Sequence, residues 1–383
     1  MQRPLRVVLV APSMEIVGGQ SVQAHRLIEN FAGEPNLSVV FCAVDAKEPA
    51  VIRRLKYIRT LLNFLTFPLR LAMAARGSDI IHIFTPAYTS YFLWTLPAMI
   101  AGRLMGKKIV LNYRDGRAVD HLRESRFVVR TLRLPHRIVT PSGYLVDVFA
   151  RYGVKAESIP NILDDLHFRY RERVSLRPAF FTNRGMEPLY NVGCVLRAFA
   201  LIQKRYPEAS LTLAHDGPCR RELEELSRTL ELRNVVFTGK VSQERMAALY
   251  DAADIYMMSP NLDNMPGTVL ECYASGIPLV STNAGGIPYI VENEVTGLLV
   301  DCDDAEGLAG AAMRLLENPE FALAMARAGH AEARRYLWTA IRPQWLRVYS
   351  DVAGRESLPG RGDRESYGTP LRPLATGAKP ARG

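Results

Sequence analysis

Five short apolar runs open this sequence: "RVVLVAP" (6–12), "SVVFCAV" (38–44), "DIIHIF" (79–84), "KIVLNY" (108–113) and "RIVTPS" (137–142). A helix-length segment separates each from the next. Runs that are apolar throughout, rather than alternating, belong in a parallel sheet covered on both faces. After a break the same pattern restarts with "PAFFTN" (178–183), "LTLAHDG" (211–217), "VVFTGK" (235–240), "DIYMMSP" (254–260), "IPLVST" (277–282) and "GLLVD" (297–301). This repetition predicts two doubly wound α/β domains in tandem. The length of 383 residues, too great for one ordinary core, agrees.

The predicted boundaries are a first Rossmann-like domain over 1–165, a linker over 166–177, a second domain over 178–337 and a helical segment over 338–353. The linker falls in "NILDDLHFRYRERVSLRP" (161–178), which is charged and lacks sustained periodicity. Pro343 should end or kink the last helix. The tail 354–383, rich in Gly, Pro, Arg and Ser, reads as disordered.

A 48% hydrophobic share with 23% charged residues fits a soluble globular protein. The longest uncharged apolar candidate, "YFLWTLPAMIAG" (91–102) with no ionisable side chain, falls short of the roughly 18 residues a spanning helix needs. The N-terminus reads as a first strand, not an export signal. Five scattered cysteines without CxxC spacing argue against a zinc or redox site and for a reduced, cytoplasmic setting. The net charge of +9 favours anionic partners. Nucleic acid is set aside, because no basic patch is interleaved with aromatics.

The stretch "SPNLDNMPGTVLECYASG" (259–276) carries the most chemistry. Pro266 is placed as the first helical residue and Gly276 as the stop. The free amides of Gly267, Thr268 and Val269 then lie at the positive end of a helix dipole, an anion site suited to a diphosphate. Glu271, one turn further in, can accept two hydrogen bonds from a diol such as a ribose. Asp263, before the helix, can reach a group beyond the diphosphate. Alone, the stretch equally permits a capped helix with a solvated Glu. A second loop, "MEIVGGQSVQAHRL" (14–27), offers Gly18 and Gly19, which allow close backbone approach and positive φ. It is not a GxGxxG, and only Asp45 offers an acid at the end of the second strand. "NAGGIPYIV" (283–291) is a third such loop. Open parallel sheets bind ligands beyond their strand ends, so the site is expected in a crevice between the domains.

In order along the chain stand "GGQSVQAHRL", "RIVTPSGYLVDVFARYGV", "IPNILDDLHF", "NRGMEPLYNVGCVLRAFALI", "HDGPCRRELEEL", "VVFTGKVSQERMAALYDAADIYMMSP", "DNMPGTVLECYASGIPLVSTNAGGIPYIV" and "ENEVTGLLV". With them the chain resembles retaining glycosyltransferases of family 4, over about residues 5–350 and most specifically over 161–301. The resemblance implies the GT-B fold, an α/β fold of two facing Rossmann-like domains with an interdomain crevice. The family's Glu, seven residues, Glu motif falls on Asp263 and Glu271, the first acid shortened by one methylene. Glu271 would hold the nucleotide ribose and Asp263 would contact the donor sugar. Asn264, Met265 and Pro266, with the backbone of Gly267, Thr268 and Val269, would line the rest of the donor. Arg184 matches the family's diphosphate Arg, which neutralises the departing nucleoside diphosphate. Asp263 and Arg184 are thus the implied catalytic pair.

Two departures stand out. A Lys usually follows that Arg closely, whereas here Leu189, Tyr190 and Asn191 follow, and Lys240 in "FTGKVS" is the candidate substitute. A His usually ends the strand matching "KIVLNY", whereas Arg114 and Asp115 occupy that turn and His121 lies seven residues on. These three are the candidate acceptor or sugar contacts. His82, inside an apolar strand, reads as a core or crevice-edge residue.

The implied activity moves a hexose, with retention, from a nucleotide-diphosphate sugar to a glycan or lipid-linked acceptor in polysaccharide or cell-envelope glycan synthesis. No metal and no cofactor beyond the nucleotide sugar are implied. The alternatives are a GT-B nucleotide-sugar epimerase, a glycogen-type phosphorylase, and a degenerate sugar-nucleotide binding subunit. The phosphorylase needs a Schiff-base Lys in a context this sequence lacks; the binding subunit is motivated by the missing Lys and His. Residues 51–76, apolar with six basic side chains and no acid, can lie on an anionic membrane or form a core helix with a solvated basic face. The expected location is cytoplasmic, with a peripheral position at the inner face of the cell membrane as the second expectation.

Overall fold

The computed structural model describes residues 3–14, 18–45 and 56–355. The tail read as disordered, from residue 356 on, the loop positions 15–17 and the start of the basic segment, 51–55, lie outside the described residues. The chain divides into two compact units. One runs up to Ile162 and takes in the segment that begins at Trp338; the other is Leu163–Leu337.

The first unit is a six-stranded parallel sheet of β1 (Leu5–Ala11), β2 (Leu37–Ala43), β3 (Ile80–Thr85), β4 (Lys108–Tyr113), β5 (Arg137–Thr140) and β6 (Glu157–Ser158), in the order β2-β1-β3-β4-β5-β6. Successive side chains of a strand point to opposite faces, so a continuous apolar run feeds two cores. Val8 and Val10 of β1 join Phe67, Leu71 and Met99 on one face. Leu5, Val7 and Leu9 join Leu27, Phe31, Trp345 and Tyr349 on the other.

That second face includes the last helix, Trp338–Ala353, which runs through Pro343 without ending there. Buried Ile341, Trp345, Tyr349 and Val352 anchor it to the first unit and outweigh the roughly 3 kcal/mol cost of an internal proline. The segment 338–353, expected as a separate piece, therefore belongs to the first unit. His82 secures the contact, since its Nδ1 lies 2.7 Å from the Tyr349 hydroxyl and Asn112 Nδ2 lies 3.3 Å from its Nε2. With both ring nitrogens paired and burial pushing its pKa down to about 3, His82 is a neutral core residue.

The second unit holds β7 (Ala179–Thr182), β8 (Ser210–Ala214), β9 (Val235–Gly239), β10 (Ile255–Met257), β11 (Leu279–Thr282) and β12 (Leu298–Val300), all parallel, in the order β12-β11-β10-β7-β8-β9. This is the doubly wound order in which β7 and β10, adjacent in space, lead to opposite halves of the sheet. The unit begins before the expected boundary at 178. Residues 166–177 are not a free linker: Phe168 is in its core, and Arg173, 2% exposed, donates to the carbonyls of Tyr250, Ala253 and Ser275. A charge that reads as solvated is here spent on backbone oxygens.

Candidate active site

The end of β7 and the loop after β10 lie side by side at the point where the strand order reverses. Arg184, two residues past β7, forms an ion pair through Nη2 with the Asp263 carboxylate. Its Nη1 donates to Thr268 Oγ1 at 3.3 Å, and its guanidinium lies 4.2 Å from the centre of the Tyr190 ring. Burial works against the charge on Arg184, yet Asp263 and the neighbouring tyrosines outweigh it and hold its pKa above the ordinary arginine value. Arg184 Nε is buried and has no hydrogen-bond partner among the described residues. A buried, unsatisfied donor on a charged group is costly.

The loop carrying Asp263 is held by its own backbone. Asp263 Oδ1 accepts from the Asn264 amide at 2.7 Å, and the Asp263 carbonyl accepts from the Gly286 amide at 2.7 Å. The glycine pair of "NAGGIPYIV" makes room for this loop. A Cβ on Gly286 would lie 1.9 Å from the Asn264 carbonyl oxygen, and one on Gly285 would lie 2.3 Å from that of Asp263. Gly285 also sits at φ 56°, in the left-handed region that favours glycine.

The helix Gly267–Ser275 starts one residue later than expected. Pro266 is its cap, with φ −65° and an extended ψ of 123°, so it is not the first helical residue. A proline fixes φ alone, which suits either position. The Val269 amide turns back to the Pro266 carbonyl at 3.2 Å. Among the described residues the Gly267 and Thr268 amides have no such backbone partner, so two of the three expected donors remain available at the positive end of the helix. Gly276 at φ 62° closes the helix. The Met265 and Val269 side chains are buried in the core, so these positions offer only backbone at the surface of the site.

Glu271 faces the same place from the next turn. Its Oε2 accepts from the Tyr250 hydroxyl at 2.8 Å and from Asn183 Nδ2 at 3.3 Å, and Asn183 Oδ1 accepts from the Tyr256 hydroxyl at 2.7 Å. Burial and the nearby Glu271 carboxylate raise the Tyr250 pKa well above the ordinary phenol value, so Tyr250 stays a donor. Asn183, Tyr190, Tyr250 and Tyr256 have no sequence signal of their own, since each reads as a strand end, a loop or a core aromatic. Only the position of Asn183 immediately before Arg184 could have drawn attention.

Other expected residues stand apart from this cluster. Lys240 is exposed at the end of edge strand β9 and makes no hydrogen bond or ion pair with Arg184 or Asp263. Where a Lys was expected after Arg184, the ring of Tyr190 supports the guanidinium instead. In the first unit, Gly18 caps the helix Gly19–Phe31 in an extended conformation, φ −161°, so the positive φ that glycine allows is not used there. Asp45 is taken up by Ser13, accepting from its amide at 2.7 Å and its hydroxyl at 2.5 Å.

Among the described residues Arg114 has no carboxylate partner. It donates to Asn112 and Asn161, and burial pushes its pKa down to about 9. Asp115 binds the amide of Ala87 and the guanidinium of Arg117. His121 is buried against the Tyr113 hydroxyl, 2.7 Å from Nδ1, while its Nε2 has no partner among the described residues. Among the described residues, no group of three or more His, Cys, Asp or Glu is placed to hold a metal ion.

Two family models match the chain, "Glycosyltransferase Family 4" over residues 17–165 and "Glycosyl transferases group 1" over residues 177–332. The chain belongs to glycosyltransferase family 4. It is 27% identical over 217 residues to the alpha-monoglucosyldiacylglycerol synthase of Streptococcus pneumoniae, covering 55% of this chain and 47% of that one. It is 27% identical over 275 residues to the GDP-mannose-dependent alpha-(1-6)-phosphatidylinositol monomannoside mannosyltransferase of Mycobacterium tuberculosis, covering 66% of this chain and 70% of that one. The first curated relatives are matched over about a quarter to a half of their length.

Among solved structures, Anabaena HepE in complex with UDP superposes with a TM-score of 0.71 at 18% identity, covering 91% of this chain and all of that one. Sucrose-phosphate synthase from Thermosynechococcus elongatus gives 0.70 at 18% identity, covering 91% and 99%. These likenesses show the GT-B fold. This family 4 chain thus carries the arginine and both motif acids within one unit, and lacks the usual lysine beside the arginine.

Proposed function

We propose that this chain is a retaining glycosyltransferase that uses a nucleotide-diphosphate sugar as donor. The observation that carries the reading is the buried Arg184, with its unsatisfied Nε, set beside the free amides of Gly267 and Thr268 and the carboxylates of Asp263 and Glu271. A guanidinium and a helix N-terminus converging on one point suit a diphosphate. Glu271, oriented by Tyr250 and Asn183, takes the ribose diol, and Asp263 takes the donor sugar.

In the reaction, the acceptor hydroxyl oxygen bonds to the sugar's anomeric carbon on the face from which the diphosphate oxygen departs. The acceptor's proton passes to the leaving diphosphate. Arg184 and the helix N-terminus stabilise the charge that develops there. The acceptor is a glycan or a lipid-linked glycan. The S. pneumoniae relative, named for a glycolipid it makes, and the M. tuberculosis relative, named for a glycolipid it mannosylates, support a lipid-linked acceptor.

The missing lysine favours one second reading, a nucleotide-sugar binding subunit without turnover. The test incubates the protein with a panel of nucleotide sugars, with and without membrane lipid extract, and measures nucleoside diphosphate release. Release that depends on the extract supports transfer. Calorimetric binding without release supports the subunit, and sugar isomers formed without any acceptor would point to an epimerase.

A further inference from the structure

The helix Lys56–Ala75 is apolar on two opposite sides. Its inward stripe, Asn63, Phe67, Leu71 and Ala75, is buried on the first unit's sheet. Positions two residues away lie on the opposite side of a helix, where solvent normally selects polar side chains. Here that stripe is Leu61, Leu65, Leu69 and Met73, with exposures of 57%, 63%, 64% and 53%, and Leu62 and Phe64 widen it. A helix that is apolar all round is ordinarily buried all round, and a contiguous exposed patch of this kind marks a docking surface.

We infer that this outward stripe docks on an anionic bilayer surface, with the helix lying in the plane of the interface. Charge selects the bilayer as the occupant. Residues 1–162 hold 22 Lys and Arg against 11 Asp and Glu, whereas residues 163–383 hold 26 against 28. The excess positive charge of the whole chain thus lies in the part that bears the stripe. Four of those basic residues, Arg53, Arg54, Lys56 and Arg59, come shortly before Leu61 in sequence.

Arg70 leaves the stripe uninterrupted, because its guanidinium turns inward to the carbonyls of Ala43 and Val44 and to Asn63 Oδ1, at 3.0 to 3.3 Å. The shape argues against a second copy of the chain. A row of about six half-exposed side chains offers on the order of a few hundred Å2, short of the ~800 Å2 per partner of a stable dimer. Among the described residues no helix is long and apolar enough to cross a membrane, so the contact is a surface one.

Docking is independent of the proposed reaction and is read without it. The full chain is sedimented with phosphatidylcholine vesicles with and without phosphatidylglycerol, in parallel with Leu65→Ser/Leu69→Ser and a control, Leu104→Ser. Leu104 is more exposed still, at 84%, but lies outside the stripe. Wild type and control should pellet with the anionic vesicles only. The double variant should lose at least about tenfold in partitioning, at an unchanged thermal midpoint, since the replaced side chains leave water only on docking. Wild type remaining in the supernatant, or a double variant that pellets as well as wild type, overturns the inference. So does a wild-type dimer in light scattering that the double variant dissolves without any vesicle binding.

Discussion

Each unit carries a glycine pair just after a strand, Gly18–Gly19 after β1 and Gly285–Gly286 after β11, and the two pairs look alike in the sequence. Their surroundings differ. A Cβ on Gly285 or Gly286 would run into the carbonyl oxygens of Asn264 and Asp263, so the fold itself requires glycine there. A Cβ on Gly18 or Gly19 would meet nothing within 4 Å, and Gly18 has a φ of −161° that any residue adopts. The second pair makes room for the chain's own acidic loop. The first makes room for nothing within the described residues, so no packing there demands glycine.

The largest effects should come from the acids that the second pair helps to place. Glu271→Ala and Asp263→Ala should each lower nucleoside diphosphate release about a hundred- to a thousandfold, the scale of losing one positioned polar group in a site. Glu271→Ala should weaken nucleotide affinity in calorimetry more than Asp263→Ala does; equal affinities would remove the ribose role. Asp263→Ala also leaves Arg184 buried without its carboxylate. Breaking a buried pair costs about 3–5 kcal/mol, and with the Tyr190 ring still supporting the guanidinium a loss of about 2–3 kcal/mol in denaturant unfolding is expected.

The two units should also part under acid. Folded His82 titrates at about 3 against an ordinary 6.5, so the unfolded chain takes up the proton first. The stability it contributes is complete above pH ~6.5 and is lost as pH falls toward about 3, on the order of 5 kcal/mol in all. In the second unit, burial tends to raise the Asp254 pKa, but Arg177 and Arg171 outweigh it and hold it below the ordinary carboxylate value. Its contribution is lost only below that value. Hydrogen exchange at falling pH should therefore show the amides of β3 and the last helix opening before those of β7 and β10. The reverse order would contradict the neutral His82, and His82→Gln should flatten the response of the first unit.

Gly286→Ala tests the bracing directly. The methyl must displace the backbone at Asn264, costing about 1–3 kcal/mol as overpacking does. It also moves Asp263, and a displacement of about 1 Å can cost about a hundredfold in turnover. Wild-type turnover at an unchanged unfolding midpoint would make the two glycine pairs equivalent after all.

The sequence was most legible where local rules and tertiary structure agree. Continuous apolar runs mark both sheets, and the Pro-Gly step marks the start of the helix behind Asp263 to within one residue. It was least legible where a side chain's partner is distant. Arg173 reads as linker because charge usually means solvent, yet it is buried against carbonyls some 80 to 100 positions away. Pro343 reads as a break because only the packing of Trp345 and Tyr349 on β3 overrides it. Tyr250 and Asn183 reach Glu271 from a helix and a strand end that no motif links. The arginine and both acids were found through their family pattern; the groups that hold them became visible only in the fold.

The smallest expected effect makes the sharpest distinction between the pairs. Gly19 is the first helical residue after the Gly18 cap, and alanine there removes freedom from the unfolded chain without any clash. Gly19→Ala should therefore stabilise the protein by about 0.4–1 kcal/mol, a rise in thermal midpoint readily measured by calorimetry. If the donor also approaches this backbone, the same methyl stands in its way, and turnover should fall severalfold while stability rises. A gain in both would assign Gly18 and Gly19 to helix capping alone. A fall in activity together with a gain in stability has no explanation among the described residues, and would identify this glycine pair as a place where the substrate meets the chain.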